Sequence, residues 1–389
     1  MAADRIPEGF QQTEVGVIPG DWKYSELERI CQKINVGFVG TCEPFFTTPN
    51  DGILLIRTGN LQGSSIILKD TRYVTKDFHD KNRKSQVFPG DILVARHGSS
   101  GHAVMVPKRI TEANTLNIVI IKVDEEKALK EYIEKAINSS AVRKQVKEAI
   151  VGSTQGVINT KSISDLKIPL PPTLAEQTAI AAALSDMDAL TGSLERLIGK
   201  KRAVKQGAMQ ELLRPKEPWV EKPLKMLTNY IASGKSDTNP TKGTYPIYGS
   251  TGIIGSSLDY DYSGRKILIA RVGANAGKVN KVDGNYCVSD NTLIVDITDN
   301  VDLDFIYHYL INLDLNKIIF GSGQPLITGG QLKELLIFLP PNKTEQTAIA
   351  RALSDMDAEI EQLEAQLTKY RRVKEGMMQE LLTGKKRLV

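Results

Sequence analysis

The amino-acid sequence predicts an α+β protein: two heads of mixed strand and helix, separated by two long antiparallel coiled-coil helices and related as a pseudo-twofold internal repeat. Three observations carry this prediction. The phrase "EQTAIAAALSDMDA" (Glu176 to Ala189) returns as "EQTAIARALSDMDA" (Glu345 to Ala358), 169 residues later and changed only where Ala182 becomes Arg351. Apolar residues after each phrase recur at heptad-like steps. Before each phrase lies a β-rich stretch that differs between the halves.

Agreement extends beyond the phrase. Upstream, "GSTQGVINTKSISDLKIPLPP" (Gly152 to Pro172) faces "GSGQPLITGGQLKELLIFLPP" (Gly321 to Pro341). Downstream, "RAVKQGAMQELL" (Arg202 to Leu213) faces "RRVKEGMMQELL" (Arg371 to Leu382). The register holds without a gap from Gly152 to Leu213, which duplication explains and chance does not. Residues N-terminal to each repeat agree only in places and at shifting offsets. "ILVARHG" (Ile92 to Gly98) resembles "ILIARVG" (Ile267 to Gly273), "NTL" begins at Asn114 and again at Asn291, and Trp22 and Trp219 open their halves. Each half therefore has a constrained end and a divergent beginning.

The prolines of "LPP" disfavour helix, and Thr173 in one copy and Asn342 or Thr344 in the other can cap a helix that begins just after them. In the second copy apolar residues fall at Ile349, Leu353, Met356, Ile360, Leu363, Leu367, Tyr370, Val373, Met377 and Leu381, close to a coiled-coil seam. The first copy places Ile180, Leu184, Met187, Leu194, Ile198, Val204 and Leu212 in the same register, interrupted by Thr191 and Lys201. Gly207 and Gly376, late in each helix, are expected to mark a bend or a close helix contact. Each helix is about 38 residues, or roughly 57 Å, and a one-sided stripe of that length needs cover. The other copy supplies the matching stripe. Antiparallel pairing carries the chain from head one to head two and back, with the heads at opposite ends of a spacer. The expected divisions are residues 1–173 and 215–342 for the heads, and 174–214 and 343–389 for the helices.

Strands are expected in "GILLIRTGN" (Gly52 to Asn60), "GDILVARHG" (Gly90 to Gly98) and "LNIVIIKV" (Leu116 to Val123), with helix from about Glu125 to Ile150, broken near Asn138 to Ser140. Head two offers "YPIYGSTGIIG", "RKILIARVG" and "NTLIVDI", then the helix "LDFIYHYLIN". The loops between strands are rich in Gly, Ser, Thr, Asn, Arg and Lys. Glycines let a backbone approach a phosphate, and Arg and Asn can read base edges with two hydrogen bonds. The nucleic-acid-contacting candidates are Arg57, Asn60, Arg96, His97, Ser99 and His102 in head one. In head two they are Tyr248, Ser250, Thr251, Arg271, Asn275, Lys278 and Lys281. Arg96 and Arg271 lead, because each ends a strand in the matching place. The same loops also fit ordinary surface turns. Basic clusters "KNRK" (Lys81 to Lys84), "KKR" (Lys200 to Arg202) and "KYRRVK" (Lys369 to Lys374) suit phosphates, and a solvated helix face accounts equally for the last two.

Composition sets bounds. With 389 residues, 41% hydrophobic and 25% charged, the chain fits two or more globular domains. A net charge of +4 permits nucleic acid without demanding it. There is no run of 18 apolar residues and no apolar leader, so a cytoplasmic protein without membrane contact is expected. Three scattered cysteines exclude a disulfide framework or a CxxC metal pair. "GANAGKV" (Gly273 to Val279) is one residue short of a phosphate loop and has Val279 where a Ser or Thr belongs. Asp91 with Glu125 and Lys127 imitates an acidic nuclease site only loosely. The four histidines lack metal spacing. The chain reads as a recogniser without catalytic residues or a metal site of its own.

A divergent head, then "GSTQ…IPLPP…EQTAIAAALSDMD" and a long helix, the whole repeated once, resembles the specificity subunit of type I restriction–modification enzymes across essentially all of the chain. The resemblance implies two target-recognition domains, each reading half of an asymmetric, bipartite site in double-stranded DNA. It implies paired helices that set the unread gap and dock two modification (methyltransferase) subunits, with restriction (motor-nuclease) subunits joining the full complex. No cofactor is expected in this chain; S-adenosylmethionine belongs to the partner. The competing readings are a coiled-coil adaptor with protein- or glycan-binding heads, and a stand-alone nuclease or methyltransferase.

Overall fold

The computed structural model describes residues 6–96, 101–151, 158–237, 242–318 and 326–388. The chain forms two compact units, Met1–Leu194 with Gln366–Val389, and Glu195–Ala365. Each unit holds one head and a segment of each long helix.

The long helices span Leu174–Leu212 and Lys343–Leu381, 39 residues each. The Thr173 hydroxyl accepts the Glu176 N–H (3.2 Å) and the Asn342 side chain accepts that of Thr344 (2.9 Å). In the first unit Ile180, Ala181 and Leu184, early in one helix, share a core with Met377, Met378 and Leu381, late in the other. In the second unit Met209 and Leu212 meet Ile349, Ala350 and Leu353. The segments thus run antiparallel in each unit.

The seam departs from the heptad expectation at one repeated position. Val204 and Val373 are 51% and 43% exposed, and the inward place passes to their neighbours Lys205 and Lys374. Lys205 pairs with Asp357, and Lys374 with Asp188. Both members of each pair are 169 residues from their counterparts, so one ion pair is built twice. A lysine long enough to reach an acid across the interface displaces the valine outward. The glycine expectation also needs correction: a side chain added at Gly207 or Gly376 would meet nothing within 4 Å, so neither marks a close contact. Of the basic clusters, Lys201 pairs with Glu359 (2.6 Å) and Arg202 with Glu364 (2.6 Å) inside the second unit.

The heads share one topology despite their divergent sequences. Head one has a four-stranded antiparallel sheet in the order Ala103–Met105, Ile92–Ala95, Ile118–Val123, Cys31–Val36. Head two repeats it as Val279–Val282, Lys266–Ala270, Thr292–Ile297, Thr228–Ser233. A second sheet in each contains a parallel pair, Gly52–Arg57 with Ala113–Leu116 and Tyr245–Gly249 with Asn285–Val288. The run "LNIVIIKV" is split by Asn117, whose positive φ of 55° turns the chain from one sheet to the other. The apolar runs are continuous because both faces of the central sheet are covered. Ile92, Val94, Val119 and Ile121 pack toward the helices, while Leu93, Ile118 and Ile120 pack toward the second sheet. Head two divides Ile267, Ile269, Leu293 and Val295 from Leu268 and Ile294 in the same way.

One glutamine in each copy of the repeated phrase joins head to helix. The Gln177 side-chain oxygen accepts the N–H of Leu129 (2.9 Å), which starts the head-one helix Lys130–Ile137, and its amide donates to the Pro171 carbonyl (3.4 Å). Gln346 does the same with the Asp302 N–H (3.0 Å), which starts Leu303–Leu313, and with the Pro340 carbonyl (2.8 Å). Both glutamines are buried. A helix start carries N–H groups without intrahelical acceptors, and here the neighbouring long helix supplies one.

Two turns along each head helix the chemistry differs. Lys135, six residues after Leu129, sits between Glu134 and Asp188 (2.7 Å to each). Burial alone pushes the Asp188 carboxyl up, but the ammoniums of Lys135 and Lys374 outweigh it and hold the group below the usual carboxylate range. The matching place in head two is His308, six residues after Asp302. Its Nε2 meets the Ser354 hydroxyl at 3.1 Å, and its Nδ1 lies 3.9 Å from Asp357. Burial lowers the His308 pKa from 6.5 to about 4 against the pull of Asp357, so the folded imidazole is neutral near pH 7.

These contacts set measurable expectations for stability. Gln177→Ala and Gln346→Ala each strand a buried donor and acceptor, and each is expected to cost about 1–3 kcal/mol in urea denaturation. Amide exchange should rise first at Leu129 or Asp302 respectively; protection unchanged at those amides contradicts the clamp. Because the unfolded histidine takes up a proton near 6.5 and the folded one near 4, its contribution is complete above pH 6.5 and is lost as pH falls toward 4. His308→Gln should therefore lose less stability than the parent between about pH 7 and 4.5, and equal losses would contradict the role given to this histidine.

Candidate nucleic-acid interface

In each head the leading arginine ends a strand of the central sheet at the mouth of a hairpin loop. Arg96 follows Ile92–Ala95. Its Nε donates to the Ile158 carbonyl (3.0 Å), and its own carbonyl accepts the Ile158 N–H (3.3 Å). Arg271 follows Lys266–Ala270, and its carbonyl accepts the Ile327 N–H (2.9 Å). Ile158 and Ile327 are 169 residues apart, so the repeated segments grip the divergent heads at the same point. Their other grip is also duplicated: the Leu27 N–H donates to Leu166 and that of Leu224 to Leu335, both at 2.8 Å. Sequence reasoning missed these residues because apolar side chains masked the role of their backbones. The constant offset was the signal that could have found them.

The two hairpin loops close alike. Gly101 donates to the Ala95 carbonyl (3.3 Å) and Gly277 to that of Ala270 (2.9 Å), with φ of 84° and 85°. The positive φ at this closing position is what demands glycine. Between closing residues the second loop is one longer. His97 and Ser99 lie outside the described residues. His102, just past the turn, is half-buried, and burial followed by the Arg143 charge lowers its pKa. Asn275 sits in the turn Gly273–Asn275, and Lys278 is exposed. Lys281 points elsewhere, pairing with Asp304 and lying 5.1 Å from the Tyr307 ring centre.

The parallel strand pair brings the second candidate segment to the same junction. In head one Leu116 aligns with Arg57 while Ile118 aligns with Ala95, so Arg57 and Arg96 flank Asn117. In head two Tyr248 aligns with Val288 while Thr292 aligns with Ala270, so Tyr248 and Arg271 flank the segment between. The Tyr248 ring packs edge-on against Tyr286 (5.8 Å), and Ser250 and Thr251 form the adjoining turn. Arg57 donates to the Asp70 carbonyl (2.6 Å). Asn60 is buried and fully engaged: it accepts the Arg57 N–H and donates to the carbonyls of Ile67 and Lys69 (3.0, 3.1 and 3.2 Å). Its place is to shape the loop that carries Arg57.

Three polar atoms at the head-two junction are buried without a hydrogen-bond partner among the described residues: Arg271 Nε, Ser289 Oγ and Thr292 Oγ1. Asp91 pairs with Lys122 (2.7 Å) and accepts the Phe88 N–H (2.9 Å), while Lys127 pairs with Asp124 and Glu125 with Lys130. No group of three or more His, Cys, Asp or Glu among the described residues has metal-holding geometry, and no helix there is long and apolar enough to cross a membrane.

Comparison with known proteins agrees with this duplicated arrangement. The family model described as type I restriction modification DNA specificity domain matches twice, over residues 19–206 and 216–369. The putative type I restriction enzyme MjaX specificity subunit of Methanocaldococcus jannaschii is 26% identical across 98% of this chain and 97% of its own. The EcoprrI specificity subunit of Escherichia coli is 31% identical over a segment covering 33% of this protein and 31% of that one. Among solved structures, the S subunit of the type I restriction–modification system from M. genitalium has the same fold, with a TM-score of 0.68 at 15% identity over 97% of both chains. A chain from a study of complex assembly and conformational transition in a type I system superposes with a TM-score of 0.53 at 16% identity, over 94% of this chain and 99% of that one. With two matches that together span most of its length, the chain belongs to the type I restriction modification DNA specificity domain family.

Proposed function

We infer that this chain is the DNA-recognition subunit of a type I restriction–modification complex. Each head reads one half of an asymmetric, bipartite duplex site, and the chain itself has no catalytic role. The carrying observation is a pair of heads with one topology, gripped at identical points by repeated segments, whose strand-end loops differ in length and side chains. Equal frames with unequal loops are what two different half-sites require. Arg96 with Arg57, and Arg271 with Tyr248, Ser250, Thr251, Asn275 and Lys278, are the groups proposed to meet DNA; His97, Ser99 and His102 complete the proposed head-one loop. Arginine at a base edge supplies two directed donors, and joining two weak readers in one chain makes the second contact intramolecular.

The proposed protein partners are two methyltransferase subunits, with restriction subunits in the full assembly. Support comes from the outward face of the repeated phrase. Thr178, Asp186 and Ala189 are exposed, yet recur unchanged as the exposed Thr347, Asp355 and Ala358. Surface residues have little packing reason to match between copies, whereas two docked copies of one partner would hold them alike. In the second unit Thr347 and Asp355 share an open helix face with Ala348, Arg351 and Ala352.

Methylation-aware sequencing of cells with and without this chain should show one bipartite motif lost with it; no lost motif contradicts the reading. Arg271→Ala should cost about 1–3 kcal/mol of discrimination at positions within one half-site and leave the other half-site's preference intact. Selection from a random duplex pool measures this, and an unchanged motif removes Arg271 from the set.

A further inference from the structure

Head one carries a helix, Ser140–Val151, for which head two has only the single turn Leu315–Ile318 among its described residues. This helix puts Arg143, Lys144 and Lys147 along a groove of about 430 Å³, closed on the other side by Glu375, Met378 and Gln379 of the second long helix. Three cations face one carboxylate. Lys144 has only a loose 4.0 Å approach to Glu148, and no ion pair engages Lys147 or Arg143 among the described residues.

Arg143 is the informative member. It is half-buried, and its Nη1 is sealed from solvent without an acceptor among the described residues. Burial holds its pKa below the ordinary arginine value, with no acid compensating. A guanidinium kept in that condition beside two loosely held lysines lacks its counter-charge.

The groove is tied to the reading loop. Asn138, which lines it, accepts the Ala103 N–H (3.0 Å) and donates to the Ala103 carbonyl (2.8 Å), fixing the strand that leaves the Arg96 loop. Gly101 packs so closely on Val146 of the basic helix that an added side chain would lie 2.3 Å from it. Arg143 and Lys147, four residues apart, are separated by ~6 Å along the helix axis, and duplex DNA carries one phosphate per ~3.4 Å of its own axis on each strand, so the two cations can meet neighbouring phosphates.

We propose that Arg143, Lys144 and Lys147 form a DNA-backbone clamp in head one, gripping phosphates that flank the half-site read through the Arg96 loop. This rests on the DNA-recognition reading and adds an inequality to it. Head one contributes sequence-independent affinity from a helix that has no counterpart among the described residues of head two, and the clamp, being fixed to the loop through Asn138 and Gly101, sets where along the strand the loop reads.

The test uses the full chain with fluorescent duplexes, one carrying the methylated motif and one scrambled, across a potassium chloride series. For Lys144→Gln/Lys147→Gln, both changes being on exposed positions, affinity should fall by the same factor on both duplexes. The slope of log affinity against log salt should become shallower by about 2. Glu375→Gln, which removes the opposing carboxylate, should tighten both. Unchanged affinity and slope in a double variant that melts like the parent overturn the clamp. Retained DNA binding with loss of a co-purifying protein assigns the groove to an acidic protein surface, which also overturns it. If the parent chain distinguishes no duplex from another, it is the recognition reading that fails.

Discussion

The architecture depends on one hydrogen-bonding arrangement made twice: a buried glutamine side chain that takes the first N–H of a head helix and returns a donor to the proline carbonyl at the end of the head. Among the described residues, Gln177 and Gln346 are the side chains of the repeated phrase that join a head helix to the end of the head in this way. An amide is suited to the task because it offers an acceptor and a donor from one planar group, and burial makes leaving either unmatched expensive. The prolines that precede each long helix are part of the same device. They stop the strand, present a carbonyl, and contribute no N–H of their own.

Around this fixed point the protein separates what is held constant from what is allowed to vary. The constant parts are backbone contacts: Leu166 and Leu335 on Leu27 and Leu224, and Ile158 and Ile327 on Arg96 and Arg271. Backbone contacts ask little of the head's side chains, so the head sequences can drift while their sheets keep one order. The variable parts are strand-end loops, where insertion of a residue costs little because no layer must be repacked. A recognition protein built on this principle can change its target without changing its frame.

The charged layer beneath shows the same division with a physical difference. Asp188 and Asp357 each receive a lysine from the opposite long helix, and each also faces one residue of its own head helix. In head one that residue is Lys135, held charged by two acids. In head two it is His308, held neutral by burial with Ser354 as its partner. Like frames thus carry unlike electrostatics, and the basic helix of head one extends the inequality to the surface.

The sequence by itself determined the repeat, the two long helices and their antiparallel partnership, because a constant offset and a heptad stripe are local patterns that survive without coordinates. It also marked Arg96 and Arg271 as equivalent, since each ends an apolar run before a glycine. Several matters were decided only in three dimensions. Val204 and Val373 fit the stripe yet are exposed, because Lys205 and Lys374 win the inward position through acids that lie far away in sequence. Asn60 looked free in a polar loop, but three backbone groups claim its amide. The glutamine clamp was unreadable for the same reason: its partners, Leu129 and Asp302, lie 48 and 44 residues from it and share no motif. Periodicity reports which face of an element is buried, whereas the choice between a polar group that reads and one that holds the fold rests on contacts that only folding creates.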